Sequence, residues 1–124
     1  MIDKKIVEDF KYMKISRKDM SNLFGVNLMS LSLEEPVVVD SIDVIEVLRA
    51  FREKKISVEE LIDWVNIVWF SDLFDYNDEQ ADSISSVMNR LEELDENKNA
   101  LSNQDVDTYI EFLKNNKEVP EYKY

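Results

Sequence analysis

The chain has 124 residues, 44% of them apolar, and a formal charge of −12, which suits one small core and disfavours a polyanionic ligand such as a nucleic-acid backbone or an anionic membrane. It contains no cysteine, no histidine and a single glycine, Gly25. Those absences remove disulfides, thiolate and Ser/His nucleophiles, the usual zinc ligands and glycine-rich phosphate loops, so the expectation is a binding protein without catalytic residues, cofactor or metal.

Helical periodicity predicts an all-α fold: one domain over residues 1–124, built as a bundle of about six short helices with one extended connector. Its parts are an N-terminal helical hairpin (1–25), the connector (26–39), core helices (40–115) and a frayed tail (116–124). The first helix, residues 3–13, places Ile2, Ile6, Phe10 and Met13 at helical spacing, and Glu8 and Asp9 interrupt what a secretory signal would keep apolar. Ser16 with Asp19 caps the second helix, striped by Met20, Leu23 and Phe24 and stopped by Gly25. Pro36 followed by Val37, Val38 and Val39 favours extended backbone, hence an ordered connector. A third helix from Asp40 or Ser41 offers Val44, Ile45, Leu48 and Phe51 to the core and ends in the basic turn from Arg52 to Lys55.

The fourth helix carries the clearest pattern, a Ser57/Glu60 capping box before Val58, Leu61, Ile62, Val65, Val68 and Trp69. Its most apolar stretch, residues 65–70, is far below the ~20 residues that span a bilayer, so a cytoplasmic location is expected. An acidic loop, 71–77, follows. Asn77 with Gln80 is expected to cap a fifth helix striped by Ile84, Val87, Met88, Leu91 and Leu94. Ser102 with Asp105 caps a sixth, striped by Val106, Tyr109, Ile110 and Leu113. Residues 10–20 and 51–61 echo one another as helix, short turn and serine cap. Capping chemistry alone accounts for that likeness without a duplication.

Charge comes in blocks. Residues 19–48 hold six acidic and no basic side chains, and residues 56–89 hold eight acidic and none basic. From the N-terminus the balance runs +3, −6, +3, −8 and −4. Unmixed acidic stretches of this length predict a one-signed surface able to steer a basic partner. Within the second block, rings alternate with carboxylates from Trp69 to Glu79. Trp69, Leu73 and Phe74 are expected to complete the core. Tyr76 is the expected interface anchor, surrounded by Asp72, Asp75, Asp78, Glu79 and Asp82, with Glu59 and Asp63 extending the face along the fourth helix. Residues 95–105 imitate a calcium-binding EF-hand loop, but Ala100 replaces the turn glycine and Val106 the bidentate glutamate, so no metal is expected.

Residues 44–113 resemble the small acidic helical immunity proteins that bacteria carry beside polymorphic, contact-dependent or colicin-type toxins. The likeness is carried by Phe51, the run from Lys55 to Trp64, the acidic segment 72–82 and the run from Leu101 to Val106. It implies a cytoplasmic antidote that binds its cognate toxin, often a basic nuclease, through acidic side chains and an exposed tyrosine. The resemblance implies that Asp72, Asp75, Tyr76, Asp78 and Glu79 would supply such a surface here. The sequence leaves two other readings open: a DNA mimic whose carboxylates imitate phosphates, and a non-catalytic helical scaffold.

Overall fold

The computed structural model describes residues 4–24, 32–96 and 101–120. In chain order these form α1 (Lys4–Lys11), α2 (Arg17–Phe24), β1 (Ser32–Val39), α3 (Ser41–Arg52), α4 (Val58–Phe70), β2 (Asp72–Tyr76), α5 (Ala81–Glu92), a 3-10 turn (Glu93–Asp95) and α6 (Asn103–Lys114). The fold is therefore mostly helical, with a two-stranded parallel sheet where an all-α bundle was expected.

Local chemistry explains the helix starts. Ser57 and Ser102 each accept the backbone N–H of the third helical residue, Glu60 and Asp105, at 3.1 Å, and those carboxylates accept the serine N–H in return. Ser16 and Asp19 repeat the arrangement at α2. The helix ends share a second device. After α1, α3 and α6 the chain turns through Met13, Lys54 and Asn116 at φ of 62°, 63° and 52°. At each end the next N–H reaches back five residues, as in Lys14 N to Asp9 O, Lys55 N to Ala50 O and Lys117 N to Phe112 O. These are Schellman closures, made without glycine. The same closure at Asn116, with no further helix after it among the described residues, does not depend on the pattern shared by residues 10–20 and 51–61.

The connector and the acidic loop are the two strands. Val37, Val38 and Val39 pair in parallel register with Phe74, Asp75 and Tyr76, and Ser32 aligns with Asp72 across an irregularity that contains Pro36. Helices α3 and α4 form the crossover that parallel pairing requires. Lysine closes the outer edge of β1: Val39 O accepts Asn77 N on the β2 side, so Val38 O faces away and accepts Lys11 Nζ at 3.1 Å.

Helix α4 is the centre of the core, packed against α1, α2, α3, α5 and β2. Trp64 and Ile67 are accordingly buried along with the expected Leu61, Ile62, Val65 and Val68, a wider buried arc than one stripe. The stripes of α3, α5 and α6 are buried as expected at Val44, Ile45, Leu48, Ile84, Val87, Met88, Leu91, Val106, Ile110 and Leu113.

Four local expectations are corrected. Met13 lies outside α1, in the turn, and the buried α1 residues are Val7, Phe10 and Lys11. Leu23 is 61% exposed, while Met20 is fully buried in the core. Asn77 does not cap α5. Its Oδ1 accepts Glu79 N, its Nδ2 donates to Asp40 Oδ1 at 3.0 Å, and Gln80 Oε1 accepts Ser41 N at 2.8 Å, so this pair serves the start of α3. Residues 116–120 are not frayed: Ser83 Oγ donates to Lys117 O, Val119 N donates to Ser86 Oγ, and Asn116 Nδ2 donates to Glu79 O. Gly25, residues 97–100 of the EF-hand-like stretch and the end of the tail lie outside the described residues.

Candidate functional site

The blocks of charge in the sequence partly cancel in space. Four of the ion pairs among the described residues join distant segments: Lys4 to Glu35, Lys11 to Asp43, Arg17 to Asp63 and Arg52 to Asp107. The basic N-terminal block thus neutralises part of both acidic blocks. Exposed carboxylates outside these pairs are scattered, as at Glu34, Glu93 and Glu118, but they are densest from β2 to the first turn of α5. Asp72, Asp75, Asp78, Glu79 and Asp82 are all exposed, and among the described residues no ion pair engages any of them.

These five do not share one plane. Strand alternation sets Asp75 on the face opposite Asp72. Asp78 and Asp82, four residues apart, continue from Asp75 through the turn. Asp75 also has a local duty, since its Oδ1 accepts Tyr76 N at 2.9 Å. That N–H lies on the side of β2 away from β1, so the carboxylate occupies the outer edge of the sheet.

The other expected site residues behave differently. Asp63 is paired with Arg17 at 3.4 Å beside a cleft of about 160 Å³ that separates the α1–α2 turn from the first turn of α4. Glu59 is exposed on the same α4 stripe and lies a helix length from β2. Tyr76 is not the exposed phenol expected: its ring stacks on Trp69 at 5.9 Å, and its buried hydroxyl has no hydrogen-bond partner among the described residues. Burial, and secondarily the Asp75 charge, hold its pKa well above the usual 10.0. Leu73 and Phe74 complete the core as expected, Trp69 is partly buried, and the ring this segment exposes is Phe70, at 55%.

Sequence reasoning also missed the pin that holds this face. Lys11 and Asp43 are both buried, with Nζ 3.5 Å from Oδ2. Asp43 Oδ2 also accepts Asp40 N at 2.8 Å, and Lys11 O accepts Trp64 Nε1 at 3.0 Å. Burial lowers the lysine pKa, but the Tyr12 side chain and the Asp43 carboxylate outweigh it and raise the value above 10.5. One ion pair therefore ties α1, β1, α3 and α4 together. Lys11 reads in the sequence as one more member of a basic block, and nothing local signals its burial.

Among the described residues no cluster of acidic side chains could hold a metal ion, and no helix is long and apolar enough to cross a membrane. Comparison with protein families, curated proteins and solved structures found no match to this chain. The likeness to immunity proteins rests on the sequence pattern alone.

Proposed function

We propose that this chain is an antidote-type binding protein, acting in the cytoplasm, whose acidic segment from Asp72 to Asp82 engages a basic protein partner, a toxin domain such as a nuclease, and neutralises it without chemistry of its own. The observation that supports this reading is the density of exposed carboxylates at Asp72, Asp75, Asp78, Glu79 and Asp82, none of them in an ion pair among the described residues. Uncompensated like charges repel one another and cost stability, so they are best explained by a partner that supplies the cations. Their position on a strand edge and a helix start gives the partner a rigid surface, since both elements are anchored in the core.

Affinity capture from the native host with this protein as bait, followed by mass spectrometry and an activity assay on the captured species, tests the reading. A basic toxin domain retained at low salt, released at high salt and inhibited at one-to-one stoichiometry is the expected outcome. Capture of only acidic proteins, or of a basic protein whose activity is unaffected, would overturn it.

A further inference from the structure

The acidic segment has an apolar neighbour that the sequence does not reveal. Three aliphatic or aromatic side chains from separate elements are each about half exposed: Tyr12 (52%) after α1, Val38 (49%) in β1 and Ile42 (52%) in the first turn of α3. The elements that carry them meet at Lys11. Lys11 Nζ lies 3.1 Å from Val38 O, 4.5 Å from the centre of the Tyr12 ring and 3.5 Å from the carboxylate of Asp43, the residue next to Ile42.

The same patch adjoins the acidic segment at two points. Val38 is in register with Asp75, so the two exposed side chains stand on the same face of the sheet, one strand spacing apart. Ile42 follows Ser41, whose N–H is held by Gln80, and Asp40, which is held by Asn77. That places the start of α3 against the turn carrying Asp78 and Glu79. On the far side Lys14 Nζ sits 5.9 Å from the Tyr12 ring, so the border is cationic there and anionic towards β2 and α5.

The geometry points to Tyr12, Val38 and Ile42 as the apolar centre of an interface whose charged border is Asp75, Asp78 and Glu79, fitted to a cationic protein surface that presents aliphatic side chains next to lysine or arginine. This rests on the binding reading above and replaces Tyr76 as its anchor. Charge selects the occupant: a second copy of a chain with net charge −12 would bring like charges together, whereas a basic partner pairs with the border as its aliphatic groups cover the centre. The Lys11–Asp43 pair beneath fixes the three elements in place, so the patch is formed before binding and little ordering is required.

Two peptides of equal positive charge separate the contributions: an amphipathic helical peptide with lysine on one face and leucine on the other, and an oligolysine. Amide chemical-shift mapping and calorimetry would be run on the wild-type chain, on Val38→Thr/Ile42→Gln, and on Asp75→Asn/Asp78→Asn/Glu79→Gln. The wild type is expected to bind the lysine–leucine peptide at least ~10-fold more tightly than oligolysine, with shifts centred on Tyr12, Val38 and Ile42. The apolar double variant is expected to lose most of that preference while its circular dichroism stays unchanged, and the carboxamide variant to weaken both peptides. Equal affinity of the wild type for the two peptides, or a preference that survives the double variant, would overturn the apolar centre and leave the acidic-face reading intact. Indifference of both peptides to the carboxamide changes would overturn both.

Discussion

Lys11 and Tyr76 show how far burial can reassign a side chain. A lysine in a basic run and a tyrosine in an acidic one read as surface residues, yet the first is buried against Asp43 and the second hides its hydroxyl beside Trp69. Removing one partner of a buried ion pair leaves the other charge exposed to a low-dielectric interior. Lys11→Met is therefore expected to lower the unfolding free energy by about 3 kcal/mol, with part recovered in Lys11→Met/Asp43→Asn, as measured by urea titration. Tyr76→Phe deletes a hydroxyl that has no partner and should leave stability unchanged or raise it by about 1 kcal/mol.

Both groups also set the alkaline limit. Each has a folded-state pKa above its usual value, 10.0 for the tyrosine and 10.5 for the lysine, so each holds its proton more tightly when folded. Their contribution is complete below about pH 10 and is lost as the pH climbs through the raised values. Chemical denaturation from pH 9 upward should show stability falling, and falling less steeply in Tyr76→Phe than in the wild type. Neither shift was legible in the sequence: the Tyr76 shift comes chiefly from burial, and the Lys11 shift from Tyr12 and from Asp43, which lies far along the chain, set against burial.

Whole elements were legible where their chemistry is local. The Ser57/Glu60 and Ser102/Asp105 boxes lie within one turn, and the helices they start appear where the spacing placed them. The strands were not legible as strands. The valines after Pro36 were correctly read as extended, but their partner is the stretch from Phe74 to Tyr76, and a parallel pair separated by two helices leaves no short-range signal. The Schellman turns were missed for a different reason. They were sought at glycine, and this chain closes them with methionine, lysine and asparagine in a conformation that costs a side-chain-bearing residue roughly 1 kcal/mol. Lys54 is exposed, so it tests the point cleanly. Thermal unfolding is expected to show Lys54→Gly as neutral to stabilising by up to ~1 kcal/mol and Lys54→Val as destabilising by about 1–2 kcal/mol, because a β-branched side chain fits that backbone region worst.

Across the whole molecule, the charge blocks of the sequence overstate the one-signed surface. Folding brings Lys4, Lys11, Arg17 and Arg52 onto acidic side chains far along the chain, and the densest run of exposed carboxylates outside these pairs is the segment from Asp72 to Asp82. Of the expected face, Asp72, Asp75, Asp78, Glu79 and Asp82 stay exposed, Asp63 turns to Arg17, and Tyr76 gives way to Tyr12, Val38 and Ile42. The acidic half of the proposed site could be read from composition because unpaired charge persists at the surface. The apolar half could not, since it is assembled from α1, β1 and α3 by a pairing the sequence does not announce.

The most direct test of the binding claim is the dissociation constant of the captured basic partner measured against this chain and against Asp75→Asn/Asp78→Asn/Glu79→Gln/Asp82→Asn, at low salt. Asparagine at position 75 retains an oxygen for Tyr76 N, so the strand edge is preserved while the charge is removed. A loss of about 100-fold is expected, taking roughly 0.7 kcal/mol for each charge removed, with a weaker salt dependence in the variant. An unchanged dissociation constant in a variant with intact helicity would contradict it and place the interface on another face.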